Sequence, residues 1–324
     1  MRGLRLGLWV AGVGILAGVP GAGAAPFAYV SNDLSNDVSV LDIATNSVVA
    51  TVSVGQFPQG VAVTPDGSRV YVANTVDGTV SAIDTAVNTV VATVPVGIRP
   101  TGVAVTPDGS RVYVTNINSS TVSVIATATN TVVATMVEGP NPVGLAVSPN
   151  GSRVYVANWS NTNTIGSVGV IDTTTNTVVA TVQLTGLNPV GVAVSPDGSR
   201  AYVTDYTNNS VSVIDTAQNM VVDVVPVGFN AEGLAVTPNG KSVYVANTGD
   251  NTVSVIDTAL NLAMATVPVG HYPQGVAVTR DGSRVYVANT NDNTMSVIDT
   301  ATNLVVATVP VGHGPLAFGN FIGP

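Results

Sequence analysis

The chain has 324 residues, of which 45% are apolar and only 9% charged, so it is long enough to bury a large core. Ten basic residues against 19 acidic ones leave a formal net charge of −9, which disfavours a phosphate backbone as partner; no nucleic acid is expected. The lack of any cysteine excludes disulfides, thiolate metal sites, a cysteine nucleophile and lipid attachment through Cys.

The chain opens with Met1-Arg2-Gly3-Leu4-Arg5, an apolar run from Leu6 to Val19, and the small-residue stretch Gly21-Ala22-Gly23-Ala24. Positive charge, apolar run and small residues in that order read as a secretory signal peptide, residues 1–24, with cleavage after Ala24. The run is too short for a comfortable transmembrane helix. The protein is therefore expected to be exported, whether periplasmic, secreted or associated with the cell surface. The remaining residues, 25–324, are expected to form one domain.

From there a single unit repeats, with Tyr-Val at positions 29, 71, 113, 155, 202, 244 and 286. The complete unit from Pro58 to Arg99 divides into four short runs rich in β-branched residues: Gly60 to Val63, Arg69 to Asn74, Thr79 to Asp84 and Thr89 to Val96. Each run is predicted to be a strand. Pro65-Asp66-Gly67-Ser68 supplies the first turn, through a preset φ, a side chain that bonds its own backbone and a glycine free to take positive φ. Asp84-Thr85-Ala86-Val87-Asn88 supplies the last turn. The first run alternates Val with Gly or Ala and suits a crowded axis. The fourth carries proline at 95, 226, 268 and 310 and suits an outer edge.

Four-stranded antiparallel units of this size predict an all-β, seven-bladed β-propeller. The phase of the repeat is informative, because Phe27 to Asn32 is a second strand with no first strand before it. Residues 315–322 are predicted to supply the missing strand and close the ring. The blades then fall at 27–57 plus 315–322, 58–99, 100–141, 142–188, 189–230, 231–272 and 273–314. The Tyr-Val-Thr-Asn of residues 113–116, the Tyr-Val-Ala-Asn at 71, 155, 244 and 286, the Pro-Asp-Gly turns and the Val-Pro-Val-Gly segments resemble the YVTN-type β-propeller repeat family. That resemblance implies an exported or surface-layer-like scaffold, similar in fold to seven-bladed groups that include lactonases and lyases. It implies no particular chemistry.

In such a ring the connections between blades share one face with the loops between second and third strands, and this face varies most from unit to unit. The connections place Gln59, Arg99, Asn141, Asn188, Tyr272 and Gln274 as candidate ligand-binding residues around the channel mouth. Both histidines, His271 and His313, and Glu232 fall there too, and are candidate acids, bases or ligands. No motif fixes their spacing, and ordinary variation at a solvated rim is the alternative. The fourth unit carries an insertion beginning at Trp159, and Tyr206 holds the corresponding place in the fifth. Together they are candidates for a stacking platform, with Trp159 covering its own blade as the alternative. The repeated Asp at 42, 84, 172, 215, 257 and 299 is read as a hairpin residue. The leading expectation is a monomeric, non-enzymatic module that binds a protein, glycan or small molecule through this face, with no cofactor and no metal. A lactonase-type or lyase-type enzyme using the channel mouth is the rival.

Overall fold

The computed structural model describes residues 26–160 and 165–323, so the proposed leader and part of the Trp159 insertion lie outside the described residues. Six four-stranded antiparallel sheets and one three-stranded sheet are arranged as seven blades, with one short 3-10 turn among the described residues, at Ile117–Ser119. The second blade shows the pattern: Pro58–Val63, Arg69–Asn74, Thr79–Asp84 and Thr89–Pro95, hydrogen-bonded in that order. Inner strands of successive blades pack against one another, and the hydrophobic clusters lie between blades. One such cluster joins Ala62, Tyr71 and Val80 to Val103, Val112 and Ile125 of the next blade.

The small residues of the inner strands have a definite geometry. A Cβ added to Gly60, Gly102, Gly144, Gly191, Gly233 or Gly275 would fall 2.1 to 2.4 Å from a backbone carbonyl oxygen of the neighbouring inner segment. Only glycine permits that approach. At the other end of each blade the outermost strand presents its edge, with Val49, Val133, Val179 and Val306 all more than half exposed.

The tyrosine of the Tyr-Val pair is buried and links neighbouring blades. In several units its hydroxyl donates to the Oδ1 of the asparagine that closes the last hairpin of the next blade, Tyr71 to Asn130 at 2.8 Å, Tyr113 to Asn176 at 3.0 Å and Tyr244 to Asn303 at 2.7 Å. The equivalent Asn88 and Asn219 Oδ1 atoms, opposite Tyr29 and Tyr155, have no partner among the described residues. Those asparagines hold φ between 51° and 54°, a left-handed conformation that asparagine tolerates better than most residues. The repeated aspartate caps the same hairpin, as when Asp84 Oδ1 accepts from the Ala86 N–H at 2.9 Å, and its other oxygen takes Arg69 at 2.6 Å. Where Ala126 replaces it, Arg111 reaches instead to the Thr173 carbonyl of the next blade, at 2.7 Å.

Closure differs in detail from the expected continuous strand over 315–322. Pro315 and Ile322 bridge antiparallel to Asn32 and Ala28, but between them Ala317 (φ 49°) and Gly319 (φ 111°) turn the chain aside. The diverted stretch bonds the second blade: Val61 N–H donates to the Phe318 carbonyl at 2.8 Å and Val63 N–H to that of Asn320 at 3.1 Å. Left-handed backbone interrupts a regular ladder, so the seventh inner position is filled by two bridges and a bulge. Phe321 and Ile322 still enter the cluster shared by the last, first and second blades.

Candidate functional site

The connections between blades and the loops between second and third strands share one face and are bonded together. Asparagines of the loops, themselves left-handed, accept from backbone N–H groups of the connections: Asn36 from Phe57 at 3.0 Å, Asn209 from Asn230 at 2.8 Å, Asn251 from Tyr272 at 2.9 Å and Asn293 from Gly314 at 2.9 Å. These bonds hold connection residues that are strained. Phe57, Arg99 and Tyr272 have φ of 53°, 55° and 58°, a region that costs a side-chain-bearing residue on the order of 1 kcal/mol or more. The loop residues Asp250 and Asp292 act in the same way, taking the Phe229 and His271 N–H groups at 2.7 Å each.

At the centre of this face lies a cavity of about 400 Å³. Gln59, Arg99, Asn118, Asn141, Trp159 and Glu232 line it, and Phe318 of the closing segment forms its floor. Phe318 also borders a second cavity of about 470 Å³ in the other half of the channel, so it stands between the two. That second cavity is walled chiefly by Gly, Ala and Val of the inner strands, with Arg280 at its edge donating to the Pro65 carbonyl at 2.8 Å.

Glu232 is the buried acid of the mouth, 7% exposed. Its Oε2 accepts from Gln274 Nε2 at 2.7 Å, and Gln274 is anchored in turn by the Thr290 hydroxyl at 2.6 Å. The Thr248 hydroxyl lies within its reach as well, yet burial outweighs both contacts and pushes the carboxyl up to about 7. Tyr272 feels the Glu232 charge and contacts the Tyr206 hydroxyl. Its own phenol is raised, first by burial and then by that charge. Tyr206 continues to Trp159, with ring centroids 6.0 Å apart and planes tilted by 37°. Trp159 and Tyr206 thus stand side by side and connect the cavity wall, through Tyr272, to the Glu232 network.

Arg99 contrasts with Glu232. Its guanidinium makes no hydrogen bond or ion pair among the described residues, although four other arginines are paired with aspartates. Arg99 leads into the third inner strand and Glu232 sits in the sixth, so the two stand three blades apart around a seven-bladed channel.

The histidines are placed differently from the expected ring around the mouth. His271 is 71% exposed and its Nδ1 lies 2.8 Å from Asp292 Oδ1. His313 is exposed, and its backbone N–H donates to the Ser35 hydroxyl oxygen at 3.1 Å. Neither lines the cavity with Glu232, because each occupies the outward shoulder of its connection two or more residues before the inner strand. Among the described residues no three His, Cys, Asp or Glu side chains come together in a way that could hold a metal ion. Asn188 also points away, its Nδ2 donating to Thr207 Oγ1 at 2.6 Å.

Two functional-face residues escaped the sequence reading. Asn118 lines the cavity from the 3-10 turn, and its signal is the departure of Ile117-Asn118-Ser119-Ser120 from the loop pattern of the other units. Glu138 is the second buried glutamate, 8% exposed, and accepts from Asn158 Nδ2 at 3.0 Å. It fills the space over Gly169, where other blades carry a serine: a Cβ on Gly169 would lie 1.7 Å from Glu138 Oε1. Asn158, which heads a glycosylation-like Asn-Trp-Ser, is 2% exposed and serves this internal network.

Comparison with known proteins agrees with the architecture. The family model for the choice-of-anchor I domain matches residues 75–232, and that for the seven-bladed β-propeller lactonases matches residues 220–305. No curated protein sequence matches the chain. Among solved structures, a chain of Kuenenia stuttgartiensis hydrazine synthase is 26% identical, with a TM-score of 0.79 over 84% of this chain and 92% of that one. A functionally unknown protein from Desulfotomaculum acetoxidans is 20% identical, with a TM-score of 0.76 over 90% and 99%. Dihydro-heme d1 dehydrogenase NirN in complex with DHE is 17% identical, with a TM-score of 0.63 over 89% and 74%. These likenesses are to propeller scaffolds, and none carries a reaction over to this chain.

Proposed function

We propose that the chain is an exported, YVTN-type propeller that acts as a binding module, holding a small polar molecule in the loop-face cavity without transforming it. The observation that carries this reading is the convergence of Arg99, Asn118, Asn141, Trp159 and Glu232 on one cavity of about 400 Å³ closed below by Phe318. A volume of that order is typical of small-molecule sites, as is a mixture of an aromatic wall with a few fixed polar groups. Export is supported by the leader-like residues 1–24 and by the partial likeness to choice-of-anchor and lactonase propellers. No helix among the described residues is long and apolar enough to cross a membrane.

The test uses Trp159 as reporter, since it is the only tryptophan among the described residues. Titration with a library of small polar molecules is expected to give saturable changes in its fluorescence, with the ligand recovered intact. A library that leaves both fluorescence and melting temperature unmoved would sink the reading. A second reading, a lactonase-type or lyase-type enzyme, is favoured by Glu232 lying within the lactonase match with its proton affinity set near neutrality. It requires product formation that disappears in Glu232→Gln while ligand binding survives.

A further inference from the structure

We propose that the loop-face cavity takes a small zwitterion, its carboxylate held by Arg99 and its ammonium or quaternary ammonium end held between Glu232 and the ring of Trp159. This rests on the binding reading above and names the chemistry of the bound molecule.

The argument starts from the two charged groups that face one cavity without meeting. Arg99 leads into the third inner strand and Glu232 belongs to the sixth, so the channel separates them. Arg99 has no partner among the described residues, and it is held in a left-handed conformation as it enters the mouth. The strain is retained by neighbouring bonds, including the Ser119 hydroxyl on the Ile98 N–H at 2.8 Å. Arg99 is exposed at the mouth, so its guanidinium is open to an anion entering the cavity. Asn118 and Asn141 stand on the same side and offer amide donors to a carboxylate.

The other pole is built for positive charge. Glu232 is acceptor to Gln274, lies near Thr248 and Tyr272, and shares the cavity with Trp159, to which Tyr272 is linked through Tyr206. A carboxylate beside aromatic faces is the combination that recognises ammonium groups, which gain Coulombic attraction from one and quadrupole attraction from the others. A purely anionic ligand would meet Glu232, and a purely cationic one would meet Arg99. A neutral polyol would give neither Arg99 nor Glu232 a counter-charge. Only a molecule carrying both signs, spaced by a short linker, compensates the two poles together. The groups facing Glu232 are otherwise uncharged at neutral pH, namely Gln274, Thr248 and Tyr272, so the ligand's cationic end is what allows the carboxyl to shed its proton. Binding is therefore accompanied by proton release near neutral pH.

The experiment titrates the purified protein with glycine betaine, with choline as the cation-only analogue, with 3,3-dimethylbutanoate as the anion-only analogue, and with glucose as neutral control. Binding is followed by Trp159 fluorescence and by calorimetry in buffers of different ionisation enthalpy. Betaine is expected to bind at least about tenfold more tightly than either one-charge analogue, with proton release. Arg99→Gln is expected to remove its advantage over choline, and Glu232→Gln its advantage over dimethylbutanoate and the proton release. Equal affinity for betaine and choline would overturn the assignment of Arg99, and with it the proposal. Binding of glucose or of another library member, with betaine inert, would overturn the zwitterion but leave the binding module standing. A library silent throughout would end both.

Discussion

The hydroxyl of Tyr286, in the last blade, donates to Asn46 Oδ1 of the first at 2.8 Å across 240 residues of sequence. It is the same latch that Tyr71, Tyr113 and Tyr244 make at three internal joints, so the ring joint is bonded like those. Tyr286→Phe removes this buried bond and is expected to destabilise the protein by about 1 kcal/mol. Tyr202→Phe is expected to cost clearly less, because its hydroxyl makes no such bond to the equivalent Asn261, whose Nδ2 donates to Asp223 Oδ2 at 2.9 Å. Urea midpoints of the two variants measure the difference.

Removing residues 315–324 deletes the bridges to Ala28 and Asn32 together with Phe321 and Ile322. The first blade then keeps three strands and both it and the second lose inner neighbours. A fall in melting temperature of more than about 10 °C is expected, together with protease cleavage inside residues 27–57. An unchanged melting curve would contradict the role assigned to the closing segment.

Stability is expected to vary with pH on two limbs. Burial raises the folded-state pKa of Glu232 from about 4.5 to about 7, and that of Asp33 from 3.8 to about 6. Raised carboxyls contribute stability fully below their unfolded pKa, and this is lost as pH rises through the folded value, so melting temperature should decline between about pH 4 and pH 7. Glu232→Gln should flatten the upper part of that decline and be more stable than the parent above pH 7, by on the order of 2 kcal/mol. On the acid side Asp66, Asp108, Asp197 and Asp281 are lowered, first by a Thr or Ser hydroxyl and then by a Ser N–H in the same turn. Their contribution is present above the ordinary aspartate pKa and disappears as pH falls through the lowered one. Thermal melts from pH 2 to pH 9 test both limbs.

Glu138 and Gly169 are expected to behave as a compensating pair. Gly169→Ser alone would drive a side chain into the Glu138 carboxyl, while Glu138→Val alone would leave Asn158 without its acceptor. The double variant recreates the arrangement of the second blade, where Asn74 Nδ2 donates to Ser81 Oγ at 2.9 Å and Val96 takes the place of the glutamate. Each single change should cost more than about 1 kcal/mol and the pair much less than their sum. Additive losses would show that the two positions are independent.

The blades were readable because each strand alternates a buried row against turns of fixed chemistry; Arg69–Asn74 and Thr79–Asp84 begin and end where their residues predict. The closing segment was readable only in part. Its partner Phe27–Asn32 was identifiable from phase, but the diversion at Ala317 and Gly319 and the placement of Phe318 across the channel occur once and follow no repeat. At the mouth, Arg99, Asn141, Gln59, Trp159 and Glu232 were identifiable from position within the unit. The histidines drew attention by residue type, yet whether a connection residue faces the axis or the outer shoulder depends on backbone turns within two or three residues. That is below what spacing resolves. Glu138 was hidden because its meaning lies in a glycine 31 positions later.

The glycine row of the inner strands bears on how many units such a chain can use. Carbonyl oxygens nestle where side chains would otherwise stand, and this clearance determines the angle through which each blade is turned from the one before. A closed circle admits one count for a given angle. Alanine at those six places would widen the pitch, and the same seven units would then meet with a mismatch at the seam. The smallest residue in the repeat is thus the gauge to which the whole circumference is cut.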